Sequence, residues 1–295
     1  METTNYVEFK KTRDLGSIIT DTFKFIRKNW KGYFGTIIRI AGPALVLLIL
    51  SLGYYMVSLG GVMKGITNGG INVEPPEIFT FEVGIALLVA MISGLVFYVL
   101  MQTSSLYFIK SYIDNRGIVD RNEIISNVKQ NFWKFLGYGI LMMIMVMFGV
   151  MLCFFPGIYI AIVLSLGTSI LVFEGKSVGD TISHCFKLIK DHWWETFGVL
   201  LVVGILVSIL SMVFSIPALI YQMVTMMSQI GQDDPTAVLG LFSDPIYLAL
   251  NALSYIGQFV LSSITLIATV FVYYDLNEQK NLTGTIEKID RLGNV

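Results

Sequence analysis

Six stretches of this chain are long and apolar, and the segments between them are polar. The stretches are Thr36–Ser58, Gly84–Ile109, Leu136–Phe154, Pro156–Phe173, Phe197–Tyr221 and Ile246–Tyr274. A helix needs about 20 apolar residues to cross the hydrocarbon of a bilayer, and each stretch approaches or exceeds that length. Only Phe155, Pro156 and Gly157 divide the third from the fourth. Proline opens helices and glycine closes them, so the pattern predicts a tight helical hairpin there. A single re-entrant element over 136–173 is the weaker alternative. The expected fold is all-α, a polytopic membrane protein of six transmembrane helices.

A second pattern precedes the odd-numbered spans. Between Leu15 and Trp30, the residues Leu15, Ile18, Ile19, Phe23, Ile26 and Trp30 share one helical face. Asp14, Ser17, Asp21, Lys24, Arg27 and Lys28 take the other. An amphipathic helix of this kind, basic on one side, is expected to lie in the membrane interface. The pattern recurs. Setting Leu15–Phe34 against Val178–Phe197 aligns identical residues at Gly16/Gly179, Ile19/Ile182, Phe23/Phe186, Lys24/Lys187, Ile26/Ile189, Trp30/Trp193 and Phe34/Phe197. A fainter copy runs from Ile124 to Leu136, with Ile125, Val128, Lys129 and Phe132 in phase. The even-numbered spans also end alike, at Phe108 to Asp114, Phe173-Glu174 and Tyr273-Tyr274-Asp275. The expected organisation is one integral membrane domain of three pseudo-repeat units, approximately 13–114, 120–176 and 177–276, followed by a short cytoplasmic tail over 277–295.

Charge sets the orientation. Lys10, Lys11, Arg13, Lys24, Arg27, Lys28 and Lys31 precede the first span. Lys110, Arg116, Arg121, Lys129 and Lys134 lie between the second and third, Lys176, Lys187 and Lys190 between the fourth and fifth, and Lys280, Lys288 and Arg291 after the sixth. The alternate loops hold only Lys64, against Glu74, Glu77, Glu82, Asp233, Asp234 and Asp244. Basic residues stay on the cytoplasmic side, so both termini are expected there. Arg39 falls where the first span enters the membrane and can snorkel to the headgroups. Together with Trp30, Trp133, Trp193 and Trp194 it forms the expected set of interface anchors.

Composition agrees with the pattern: 55% of the 295 residues are hydrophobic, 14% are charged, and mean hydropathy is +0.71. The formal net charge of −1 gives no basic field for nucleic acid. Residues 1–35 lack the apolar core and small-residue cleavage site of a signal peptide, which leaves targeting to the first span. Cys153 and Cys185 fall at opposite membrane faces on this topology, so they are expected to pack as small apolar residues rather than to pair.

Several motifs resemble a known family. Arg13-Asp14-Leu15-Gly16 with Phe23 and Trp30 resembles the opening of the membrane domain found on membrane-tethered glycerophosphodiester phosphodiesterases. So do Phe154-Phe155-Pro156-Gly157 through Val172-Phe173-Glu174-Gly175, and then Ile182, Phe186-Lys187-Leu188-Ile189 and Trp193-Trp194. Tyr273-Tyr274-Asp275-Leu276 resembles that domain's closing motif. In that family a catalytic barrel follows the membrane domain, and some twenty residues after the last span leave no room for one. The resemblance therefore implies a stand-alone relative, a bacterial inner-membrane protein without the phosphodiesterase activity.

Candidate chemistry is sparse. His184 and His192, with Asp180, Cys185 and Asp191 nearby, suggest a metal site, but an eight-residue step turns about 80° on a helix and separates the two rings. Their repeat mates, Asp21 and Asn29, are plain polar-face residues. The methionines of Met142-Met143-Ile144-Met145-Val146-Met147 scatter around a helix and read as packing rather than a copper path. Apart from Arg39, the spans carry no ionisable Asp, Glu, Lys, Arg or His. A weakly polar path through Gln102, Asn251 and Gln258 is the remaining candidate, against ordinary interhelical bonding eased by Gly94, Gly137, Gly167 and Gly204. No cofactor, metal or nucleic acid is expected; lipid, and membrane or cytosolic proteins, are. The external segments 59–83 and 222–245 are too short for a domain and fit a partner contact or a short lid. A non-enzymatic membrane module, scaffold or subunit, leads over a permease, channel or lipid-handling protein.

Overall fold

The computed structural model describes residues 6–69, 81–228 and 237–293. Much of the two external segments, including Pro75-Pro76 and Gln232-Asp233-Asp234-Pro235, lies outside the described residues. Every regular element within them is helical. The α-helices are α1 (Leu15–Gly69), α2 (Phe81–Asp114), α3 (Arg121–Leu152), α4 (Phe154–Ser165), α5 (Gly167–Phe173), α6 (Val178–Ile189), α7 (Trp193–Ser228), α8 (Pro245–Asn281) and α9 (Thr283–Gly293), with a short 3-10 stretch over Ala237–Ser243. Six helical segments are long and apolar enough to cross a membrane: Leu15–Met63, Phe81–Asp114, Arg121–Leu152, Phe154–Phe173, Trp193–Ser228 and Pro245–Asn281.

The third and fourth spans form a hairpin, but its break differs from expectation. It falls at Cys153, whose extended backbone (φ −172°, ψ 153°) ends α3 and begins α4. Pro156 sits within the first turn of α4, where its missing N–H has no helical acceptor to lose. Gly157 is inside the helix, not at its end. A Cβ on Gly149 would lie 2.9 Å from the Gly157 Cα, and one on Gly157 2.9 Å from the Val150 amide nitrogen. Both glycines serve close helix approach. Further along, Leu166 separates α4 from α5. There the buried Tyr138 hydroxyl donates to the Leu164 carbonyl, and a Cβ on Gly167 would overlap that hydroxyl. Of the small residues expected to admit close approach, Gly167 does so. Gly94 meets only Leu48 at 3.5 Å, and Gly137 and Gly204 face open space.

The expected first amphipathic helix is not a separate element. α1 runs unbroken from Leu15 through Gly69, with Pro43 inside it. Its buried face is also displaced from the apolar face read in the sequence. Ile18, Thr22, Phe25 and Tyr33 are buried, whereas Leu15, Phe23 and Trp30 are exposed. The helix thus has an inner apolar arc against protein and an adjacent outer one facing away from it. The second copy is a distinct helix, α6, separated from α7 by Lys190–His192, where Asp191 takes a left-handed φ of 72°. Lys280 Nζ donates to the Lys187 and Lys190 carbonyls at 2.8 Å each, satisfying acceptors that a helix end leaves open.

One regularity is shared by the three segments that precede the odd-numbered spans. Asp14 accepts from the Ser17 amide at 3.1 Å, Asp120 from the Asn122 and Glu123 amides at 2.9 and 3.3 Å, and Ser177 from the Asp180 amide at 3.3 Å. Each bond satisfies amides that a helix start leaves open. Four and eight positions after each cap the residues are buried: Ile18 and Thr22, Ile124 and Val128, Thr181 and Cys185. Phe23 and Phe186, one of the aligned identical pairs, are both exposed.

The chain divides into two compact units. The first comprises Met1–Ile40, Val99–Val207 and Ser262–Val295, and the second Ala41–Tyr98 and Ser208–Leu261. In the first unit the later half of α8 is enclosed, with Ile267, Ala268, Val270, Phe271, Val272 and Tyr273 buried. In the second unit, Ser51 and Ser93 share a hydroxyl bond of 2.9 Å between α1 and α2. Ser254 donates to the Phe214 carbonyl at 2.8 Å, and Phe214 lies over Gly257, joining α7 to α8. Tyr–carboxylate bonds, Tyr54 to Glu82 (2.8 Å) and Tyr221 to Asp244 (2.7 Å), join the same helix pairs.

Candidate functional site

The first unit carries the densest polar network, built where the chain's two ends meet. Residues 6–14 have no helical period, and they form an irregular strap that bends at Lys10 and Lys11. Its Phe9 ring is fully buried, stacked on Phe271 (4.4 Å, 6°) and edge-on to Phe25 (5.4 Å, 84°). The Val7 amide donates to the Tyr112 hydroxyl at 2.9 Å. Arg13 closes the strap. Its amide donates to Asp275 Oδ1 at 2.7 Å, its Nε to Asp21 Oδ2 at 3.0 Å, and its terminal nitrogens to the carbonyls of Glu8, Phe9 and Lys11. The guanidinium lies 4.5 Å above the Phe271 ring. Burial presses the Arg13 pKa below its ordinary value, opposed by the bond and charge of Asp21 and the charge of Asp275.

The segment after the sixth span is helical over most of its length. α8 continues to Asn281, Leu282 turns the chain at φ 50°, and α9 follows. Glu278 accepts from the amides of Gly284 (2.6 Å) and Thr285 (2.9 Å), capping α9. Lys10 pairs with Glu287 and Lys288 with Glu8, each at 2.6 Å, which ties α9 to the strap.

A second cluster gathers at Glu174, after α5. Its Oε1 accepts from the Tyr273 hydroxyl at 2.9 Å and stands 3.3 Å from His184 Nε2, while Oε2 pairs with Lys176 at 2.5 Å. The His184 contact lies within ion-pair distance but outside hydrogen-bond geometry, so that buried nitrogen has no hydrogen-bond partner. Burial lowers the His184 pKa despite the opposing charge of Glu174. His192 sits in the break between α6 and α7, its Nδ1 3.0 Å from Glu195 Oε2. The two histidines are therefore not on one helix. Among the described residues no three of His, Cys, Asp and Glu stand close enough to share a metal. Cys185 is buried, which pushes its thiol up to about 12; Cys153 is exposed, contrary to the expectation that it packs.

Two cavities belong to this unit. One, of about 460 Å³, lies beside the strap and is lined by Arg13, Asp14, Trp194, Glu195, Asp275 and Gln279 among others. The other, of about 430 Å³, contains Arg39 and Trp133 in its wall. The expected interface anchors thus fall in distinct places. Arg39 and Trp133 meet in one cavity and Trp194 borders the other. Trp193 packs between Tyr159 and Phe197 at 5.6 and 5.2 Å, and Trp30 is exposed with Lys31 Nζ 5.6 Å from its ring. Neither cavity is lined by Gln102, Asn251 or Gln258. Asn251 donates to the Tyr247 carbonyl of its own helix at 2.8 Å, Gln258 is exposed, and Gln102 is half-buried.

The sequence supplied Arg13, Glu174, Tyr273 and Asp275 as parts of separate motifs. The structure brings them into bonds with one another across the first unit. Phe9, Tyr112 and Glu278 were missed, and only the alternation of Val7 and Phe9 with charged residues hints at the strap.

The six apolar spans and the all-helical build define a multi-pass membrane protein. Compared with known proteins, the chain matches no family model, no curated sequence and no solved structure.

Proposed function

We propose that this chain is a non-enzymatic module of the bacterial cytoplasmic membrane, a scaffold or subunit of a membrane complex with both termini in the cytoplasm. The observation that carries the reading is the engagement of charges that are buried, as are Arg13, Asp275 and Glu278, or half-buried, as are Asp21 and Glu174. Arg13, Asp21, Glu174, Asp275 and Glu278 each hold one chain segment against another. The groups beside Glu174 and Glu278, namely Tyr273, His184 and Thr285, serve the same ties, and neither carboxylate lines the two cavities. Such a network fixes a shape. Phe23, Trp30, Phe186 and Trp194 are exposed and can meet partners in or on the membrane.

Three amphipathic segments with matching caps and matching buried positions support the pseudo-repeat, and exposed Leu15, Phe23 and Trp30 support an interfacial setting for the first. The contact of Arg13 with Asp275, and of Glu174 with Tyr273, supports reading the family motifs as one structural signature of the stand-alone relatives. The orientation rests on the distribution of Lys and Arg.

The test is purification of the full chain in mild detergent with mass spectrometry of what accompanies it. A stoichiometric membrane or cytosolic partner, lost on substitution of Trp30, Trp193 and Lys187, supports the module. A chain that purifies alone, or with a defined solute, overturns it in favour of transport; the polar cavity beside Arg13 is then the first place to look.

A further inference from the structure

The cavity that contains Arg39 differs in chemistry from the strap network and takes no part in it. It is formed by α1, α2 and α3, and its lining is Arg39, Ile40, Leu100, Ile125, Val128, Lys129, Phe132 and Trp133. Six of these eight side chains are apolar or aromatic. The remaining two are cations, both exposed, and among the described residues neither has an acidic partner within 4.0 Å. Elsewhere in this unit Lys10, Lys11, Arg13, Lys176 and Lys288 are all paired with carboxylates. Two unpaired cations above an apolar groove are complementary to a molecule with an anionic head and a hydrocarbon body. Trp133, 74% exposed at the groove, supplies the ring-and-N–H character favoured at the headgroup level of a bilayer. The volume, about 430 Å³, lies in the range of small-ligand sites.

We infer that this groove binds an anionic glycerophospholipid. Arg39 and Lys129 take its phosphate, Trp133 borders the headgroup, and one acyl chain lies along Ile40, Leu100, Ile125 and Phe132. A zwitterionic lipid brings its own ammonium toward the same two cations and binds less well. The inference rests on the six membrane spans, not on the module reading, so a chain without protein partners can still hold the lipid.

The experiment is native mass spectrometry of the full chain in a neutral detergent, titrated with phosphatidylglycerol or phosphatidylcholine. Phosphatidylglycerol should be retained about 30-fold better, the factor that two cations near a lipid surface correspond to. Arg39→Gln with Lys129→Gln should bring retention down to the phosphatidylcholine level. Lys24→Gln with Arg27→Gln, the same loss of charge on the exposed side of α1, should leave it unchanged. Ile125→Trp fills the groove while keeping both cations and should also lower retention, which keeps the test open if the double variant does not fold. Equal retention of the two lipids, or full retention by both groove variants, overturns the inference. So does displacement of phosphatidylglycerol by inorganic phosphate, which assigns the groove to a free anion instead.

Discussion

Arg13 is the residue whose removal should do the most local damage. Replacing it by methionine keeps an unbranched stem but removes the guanidinium that lies over Phe271. It deletes the bonds to Asp21 Oδ2 and to the carbonyls of Glu8, Phe9 and Lys11, with the guanidinium itself shielded from solvent. Breaking a buried ion pair by removing one partner costs about 3–5 kcal/mol. Asp21 keeps Lys11 at 3.2 Å, so the lower end applies, about 3 kcal/mol. Concentrated in the strap, that loss raises the open population of residues 6–14 about 150-fold. Proteolysis of a transiently opened segment tracks its open population when closing is faster than cleavage. Cleavage by a lysine-specific protease after Lys10 and Lys11, followed by mass spectrometry of the full chain in detergent, should therefore accelerate by about that factor. Cleavage after Lys176, on the loop beyond α5, should not change. Asp21→Asn, which keeps a hydrogen-bond acceptor but loses the charge, should give about a tenfold increase. A strap that is cut within threefold of the wild-type rate in Arg13→Met refutes the argument, and the strap is then held by Phe9 and its remaining ties to Tyr112, Asp275 and α9.

The hairpin of α3 and α4 gives a second prediction. Gly157→Ala forces a Cβ against the Val150 backbone and should cost about 3 kcal/mol of overpacking, seen as a lowered melting temperature. Gly137→Ala, facing open space on α3, should cost nothing and serves as the matched control. An impermeant maleimide added to intact cells should label Cys153 and spare Cys185, whose buried thiol is held near 12; labelling confined to inverted vesicles would reverse the topology. His184 is held neutral by burial more strongly than Glu174 favours its charge, so the folded state binds fewer protons than the unfolded one. Its contribution to stability is present above the ordinary imidazole value of about 6.5 and declines as pH falls below it. Thermal unfolding measured between neutral and acid pH should show a loss of stability that His184→Gln lessens, and an unchanged acid limb would remove His184 from the account.

What the sequence disclosed was governed by local periodicity. The six apolar spans stand out because lipid demands uninterrupted apolar length, and the hairpin because Cys153 to Gly157 interrupts it. The exact break was misplaced because Pro156 and Gly157 were read as terminators. Proline costs little in a first turn, and glycine also serves close packing. The inner face of α1 was missed for a related reason. Phe23 and Trp30 are apolar and in phase, yet in a membrane an apolar side chain has two possible neighbours, protein and lipid, and periodicity does not distinguish them. The strap and α9 were illegible because their partners are remote: Arg13 meets Asp275 across a separation of 262 residues. Motif resemblance singled out Arg13, Glu174, Tyr273 and Asp275, but only the folded chain shows what they do.

That separation also has a consequence for biogenesis. Phe271 and Asp275 are translated long after Phe9 and Arg13, so these two contacts of the strap stay unmade while almost the entire chain is made. At about 5–20 residues per second the wait is roughly 13–50 s. Through that interval Phe9 lacks its stacking partner Phe271 and the Arg13 amide its acceptor, whereas the Arg13 guanidinium can already pair with Asp21. Full closing of the strap therefore waits for the sixth span, and a chain stalled before Phe271 lacks both the ring that stacks on Phe9 and the carboxylate that accepts from the Arg13 amide.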